Sequence, residues 1–348
     1  MRLVLIAVCA VALSSVTFAV GRGTQPAVRG LQSAQSQTSP VERGLQPARA
    51  QTSPVERGLQ PARAQTLPVE RGLQPARAQA PGSTKSFLWK VQAGATVLYL
   101  AGSIHALSAD AYPLSPAFER AFAASDTLVE EIDLAEVGTA APMLIARGMY
   151  LNGGRFESSV SKETATLVAE RVKTSGLPVE IIQTMKPWMV MLTLTALEAQ
   201  RAGFDANLGL DKHFFDRTKA AGRPVVGLET AESQVDRLDS MSERLQEQLL
   251  RSTLDELDTQ RDSLTSIVSA WRRGDAATLE KDLLGSFADY PAAYTSLIVE
   301  RNQNWMPQIE ACFARPRPCL VVVGAAHLVG PDGLLTLLRR KGYGVEQE

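Results

Sequence analysis

Histidine and cysteine are scarce in this chain, with three of each in 348 residues. One of the cysteines, Cys9, lies in the apolar N-terminal stretch, so at most one intrachain bridge remains for the body. That count excludes a disulfide-dense scaffold and a cysteine-rich zinc module. No His-Glu-x-x-His occurs, which excludes the helix-borne zinc site of the zincins. Beyond the N-terminus no apolar run is long enough to span a bilayer. Met189 to Leu197 is apolar almost all round but too short and charge-flanked, and reads as a buried core helix, so no transmembrane span is expected in the mature chain. A formal net charge of −1 gives no strong basic field, and nothing points to nucleic-acid binding.

That near-neutral total conceals a division. Residues 1–82 carry a balance of +6, and the remainder carries −7. Residues 1–19 have the form of a secretory signal, with Arg2, an apolar Leu3 to Leu13, and the small residues of Thr17-Phe18-Ala19. The mature protein is therefore expected to be exported, periplasmic or secreted. From residue 20 to 84 a fourteen-residue phrase beginning at Pro40 returns at Pro54 and Pro68. With one Leu and one Val per repeat among Pro, Gly and Gln, it buries too little apolar surface to offset chain entropy, and it predicts a disordered tether. Residues 85–348 are enough for one large core.

Within that body two stretches share a phrase. Thr96 to His105 and Cys319 to His327 are each an apolar run, a Gly, two small or apolar residues and a His. Such runs fit strands buried on both faces of a sheet, with Gly allowing a tight turn and the His placed just past the carboxyl end of the strand. After His105 come Ser115-Pro116, a short helix and a strand Thr127 to Asp133. After His327 come a Gly-rich turn, a helix Leu334 to Arg340, a Gly342 stop and a last strand. The expected class is α/β, a mixed sheet built from two related β-GxxH-α-β units with a largely helical insertion between them. Two of the three histidines sit in this device. His213 matches no ligand spacing and is left outside the site.

Acidic residues end the other strands. Glu130 and Glu131 close the Thr127 strand, and alternation sends them to opposite faces, so one at most looks toward the histidines. Arg223 to Glu229 reads as a strand ending in an acid; Glu229 could line the same crevice or cap the helix that follows. Glu300-Arg301-Asn302 lies in a helix ending near Pro307, where Arg301 could neutralise an oxyanion or pair with Glu131 or Glu229. Cys312 and Cys319, in an exported protein, most simply form a disulfide; the alternative is metal ligation.

Taken together, Gly102-Ser103-Ile104-His105, Tyr112-Pro113-Leu114, Glu131-Ile132-Asp133, Gly227-Leu228-Glu229-Thr230, Glu300-Arg301-Asn302 and Gly324 to Gly330 resemble the TraB/GumN family, whose animal relatives are the Tiki metalloproteases. The resemblance runs from about Phe87 to the C-terminus and is closest to the bacterial GumN branch. It implies cleavage of peptides with a divalent cation, and it matches Glu131 to the family's acid, where the preceding residue is usually apolar rather than Glu130. Two imidazoles and a carboxylate suit a divalent metal ion such as Mn, Co or Zn and leave positions for water and substrate. The leading expectation is thus a metal-dependent hydrolase, read as a peptidase. His105, His327 and Glu131 would serve as ligands, or as ligands plus base, with Glu229 and Arg301 assisting. The alternative is a non-catalytic periplasmic protein that holds a peptide or a cell-envelope polysaccharide.

Overall fold

The structure is a computed structural model that describes residues 85–348; the expected leader and tether lie outside the described residues. Its centre is the run Cys319–Gly324 (β5), buried at every position, as a Val-rich segment without polar side chains requires. Around it the sheet runs in the order β4-β3-β5-β2-β1-β6. Leu88–Ala93 (β1) and Thr96–Ser103 (β2) form an antiparallel hairpin with Leu88 opposite Ala101. Its turn uses Gly94 at φ +58°, which an L side chain tolerates poorly. β2 lies parallel to β5, β5 to Thr127–Glu130 (β3), and β3 to Val225–Gly227 (β4). Gly344–Gln347 (β6) closes the far edge, antiparallel to β1.

Four parallel strands therefore end along one edge. The carboxyl ends of β2, β3, β4 and β5 bring the segments carrying His105, Glu131, Glu229 and His327 side by side, which is where open α/β sheets carry their crevice.

Helices cover the sheet and fill the insertion: Pro116–Ala124 (α1), Val137–Gly148 (α2), Lys162–Ser175 (α3), Pro187–Arg201 (α4), Leu210–Ala220 (α5), Ala231–Asp239 (α6), Glu243–Glu256 (α7), Gln260–Arg272 (α8), Ala276–Leu284 (α9), Glu300–Ala311 (α10) and Leu334–Arg340 (α11). The class is the expected mixed α/β. α4 is buried throughout Met189 to Leu197, as that largely apolar stretch predicts. Among the described residues no helix is long and apolar enough to cross a membrane.

Four local expectations change. β3 stops at Glu130 instead of running to Asp133, and past its end the Leu228 and Glu229 N–H groups still donate to the carbonyls of Glu130 and Glu131. β4 is likewise shorter than Arg223 to Glu229. α10 continues past Pro307 to Ala311, a substitution of one lost N–H for a helix otherwise well packed through Trp305 and Ile309. The motif glycines do not turn the chain through positive φ. Gly102 lies inside β2, and a Cβ there would run into the Phe87 ring, so its service is close approach.

Cys312 and Cys319 are bonded to each other, with Cα atoms 5.8 Å apart, and they fasten the end of α10 to the start of β5. Replacing both by Ser is expected to cost about 2–3 kcal/mol, the loop-closure value for so short a ring. Chemical denaturation of the two proteins measures it, and an unchanged midpoint would contradict it.

Candidate functional site

Five side chains from five segments meet at the carboxyl edge of the sheet. Glu131, one residue past β3, is the common member. Its Oε1 accepts the Gly324 N–H at 2.7 Å and lies 3.7 Å from His105 Nε2 and 3.9 Å from His327 Nε2. Its Oε2 accepts from Arg301 Nη2 at 2.5 Å and from Gln234 Nε2 at 3.2 Å. The two histidines are 222 residues apart in sequence, yet both face one carboxylate oxygen.

Arg301 holds the opposite wall. Its Nε and Nη2 donate to Glu229 Oε1 at 2.9 and 2.6 Å, and its Nη1 donates to His327 Nε2 at 3.0 Å and to the Leu297 carbonyl at 3.3 Å. The guanidinium lies 4.6 Å from the centre of the Trp305 ring, a cation–π contact that also fixes its plane. A π-helical turn, Thr295–Val299, precedes it and resets the register with which α10 presents Arg301. His105, Glu131, His327 and Arg301 are each at most 3 % exposed, so every charge here must find its partner within the protein.

Two further residues set the histidines, and the sequence reading assigned neither of them this part. Asp211, in the first turn of α5, brings Oδ1 to 3.1 Å from His105 Nδ1 and accepts the Ser103 hydroxyl at 2.7 Å. The helix can approach so closely because its N-cap is Gly209, where a Cβ would strike the His105 carbonyl. Asn302 Nδ2 donates to the carbonyls of His327 and Asp332, which leaves its Oδ1 to accept from His327 Nδ1–H at 2.8 Å. That fixes the tautomer: His327 carries its proton on Nδ1, and its Nε2 is a bare lone pair.

The electrostatics of the pair are unequal. Burial works against a proton on His105, but the carboxylates of Asp211 and Glu131 outweigh it and hold the imidazole well above its usual value. Burial and the Arg301 charge both push His327 well below it. Burial would raise the Glu131 carboxyl, yet Arg301 and the histidines hold it far below the usual carboxylate range. Tyr112, by contrast, packs on His213 and donates its hydroxyl to the Leu208 carbonyl, so it takes no place in this cluster.

The donor set suits a divalent ion. Two donors on one ion at about 2.1 Å each lie roughly 3–4 Å apart, the range of the two Nε2–Oε1 separations, and both imidazoles have Nδ1 tied to an oxygen as metal-binding histidines do. Among the described residues no three His, Cys, Asp or Glu side chains close to a formed coordination shell. His327 Nε2 is occupied by Arg301 Nη1.

Glu130 is left out of the cluster. It is 2 % exposed and neither carboxyl oxygen has a hydrogen-bond partner. Burial first, then the like charges of Asp211 and Asp133, push its carboxyl well above the usual range.

The profile of the TraB/PrgY/gumN family matches residues 87–347. The chain is 27 % identical over 241 residues to "Uncharacterized protein YbaP" of Escherichia coli (strain K12), covering 69 % of this chain and 87 % of that protein. The YbaP of Shigella flexneri matches to the same extent. No solved structure matches the chain.

The folded chain keeps a proton on Glu130 that the unfolded chain releases near a pH of about 4.3, so stability falls as pH rises from there through the raised folded value. Glu130→Leu removes the ionisation at similar volume. It should flatten that stretch of the stability–pH curve and add about 1–3 kcal/mol at neutral pH. Urea unfolding across the same pH range reads it, and a destabilised variant would contradict it.

Proposed function

Because the chain belongs to the TraB/PrgY/gumN family, we propose that it is an exported metal-dependent hydrolase acting on peptides. One observation carries this reading: two GxxH histidines from opposite ends of the domain present Nε2 to the same oxygen of a buried glutamate. His105, His327 and Glu131 would hold the ion, with Mn, Co and Zn all compatible with two imidazoles and a carboxylate. Bound there, such an ion acidifies water and polarises a carbonyl at neutral pH.

The chain's own residues supply the rest. Asp211 sits at His105 Nδ1 and orients the ring, so that Nε2 is the atom turned toward Glu131. Asn302 holds the proton of His327 on Nδ1, while burial and the Arg301 guanidinium at Nε2 keep the ring neutral. Arg301 places positive charge beside the group where negative charge would develop on a substrate carbonyl, while Glu229 and Glu131 hold it in plane. A polar cleft of about 620 Å³ is lined by residues including Arg147, Ser233, Asp236, Arg237, Ser296 and Glu300, and its charged and hydroxyl groups would suit a polar peptide.

A second reading has one observation in its favour. The clustered histidines and glutamate are buried while a polar cleft elsewhere is open, as suits a non-catalytic protein that holds a peptide or a cell-envelope polysaccharide.

The two readings divide on metal. Elemental analysis of the purified protein after reconstitution with Mn, Co or Zn should find about one ion per chain, and none in the double variant His105→Ala, His327→Ala. Peptide hydrolysis should vanish on chelation and return with the ion. Equal metal content in both proteins would sink the hydrolase reading and leave the binding protein.

A further inference from the structure

The His327 ring has one lone pair to give. Its Nδ1 proton is committed to Asn302, and its Nε2 accepts from Arg301 Nη1 at 3.0 Å. A metal–imidazole bond would use that same lone pair, so the guanidinium and an ion cannot hold Nε2 together. Glu131 is not contested in that way, since Arg301 Nη2 takes Oε2 and leaves Oε1 facing the two imidazoles. The guanidinium also neutralises Glu229 and sits on Trp305, so it fills the cation's electrostatic role in a centre that is sealed from water.

We propose that Arg301 is a built-in competitor for the divalent cation: it occupies His327 Nε2 when the ion is absent, and the ion binds only by taking that lone pair from it. This rests on the metal reading above and deepens it, assigning Arg301 a regulatory part in occupancy. The ion would therefore bind more weakly than two imidazoles and a carboxylate allow, and would exchange with its surroundings. Occupancy would follow the supply of cation instead of being fixed at folding.

The arrangement also fits the chemistry of the wall. Arg and Lys are not equivalent here, because only the planar fork reaches Glu131, Glu229 and His327 at once. A lysine ammonium could pair with one carboxylate and leave the imidazole alone.

The test is the affinity for Mn²⁺ alone, read from the electron paramagnetic resonance signal of the free ion in a titration of the purified full chain. Wild type is compared with Arg301→Lys, Arg301→Gln and the double variant Arg301→Gln, Glu229→Gln. The double variant removes the cation together with one of its carboxylates, so it carries the test where Arg301→Gln alone fails to fold; circular dichroism identifies the folded forms. Arg301→Gln and the double variant should bind Mn²⁺ at least tenfold more tightly than wild type, with Arg301→Lys also tightened but less. Equal or weaker affinity in the folded variants would overturn the displacement role while wild-type binding kept the metal reading in place. Absence of binding in every form would overturn both.

Discussion

One buried carboxylate ties the carboxyl edge of this sheet together. Glu131 accepts a backbone N–H from the end of β5, a guanidinium from α10 and an amide from α6, and it faces the imidazoles that follow β2 and β5. Each of those elements arrives from a different stretch of sequence, and their common registration is what makes a site from them. A carboxylate so deep in the protein is costly unless its charge is answered. The answer comes from Arg301, and Arg301 in turn demands Glu229, so the cluster forms as a unit.

The two histidines then differ although their motifs do not. A carboxylate behind His105 favours a proton, whereas at His327 an amide holds Nδ1–H and the Arg301 guanidinium at Nε2 opposes a second proton. The asymmetry is set by α5 and α10, outside the two motifs. Two segments with the same short motif have been given two chemical characters by what packs around them. Glu130 shows the opposite case, a buried acid that nothing answers.

Much of this was legible in the residues. An apolar run ending in Gly-x-x-His announces a buried strand with a His at its tip, and acids at the ends of two more runs place Glu131 and Glu229 at the same edge. The disulfide followed from spacing and the expected export. Less was legible where the signal is spatial. An acid in the first turn of a helix is common for dipole reasons alone, so Asp211 carries no mark in sequence of its contact with His105. Asn302 was visible only as a neighbour of Arg301, because its part depends on which carbonyls its amide meets. The strand ends differ too, since β3 stops at Glu130 and β4 at Gly227, earlier than the residue pattern alone indicates.

The central claim is that His105, His327 and Glu131 form one cation centre although their segments are far apart in sequence. Crystals of the purified protein soaked in manganese, with data collected at the manganese absorption edge, test it most directly. The account predicts a single anomalous peak within bonding distance of both Nε2 atoms and of Glu131 Oε1, with Arg301 Nη1 withdrawn from His327. A peak held by other residues, or a soaked site in which Arg301 still bonds His327 Nε2 and no anomalous density lies between the three side chains, would contradict it.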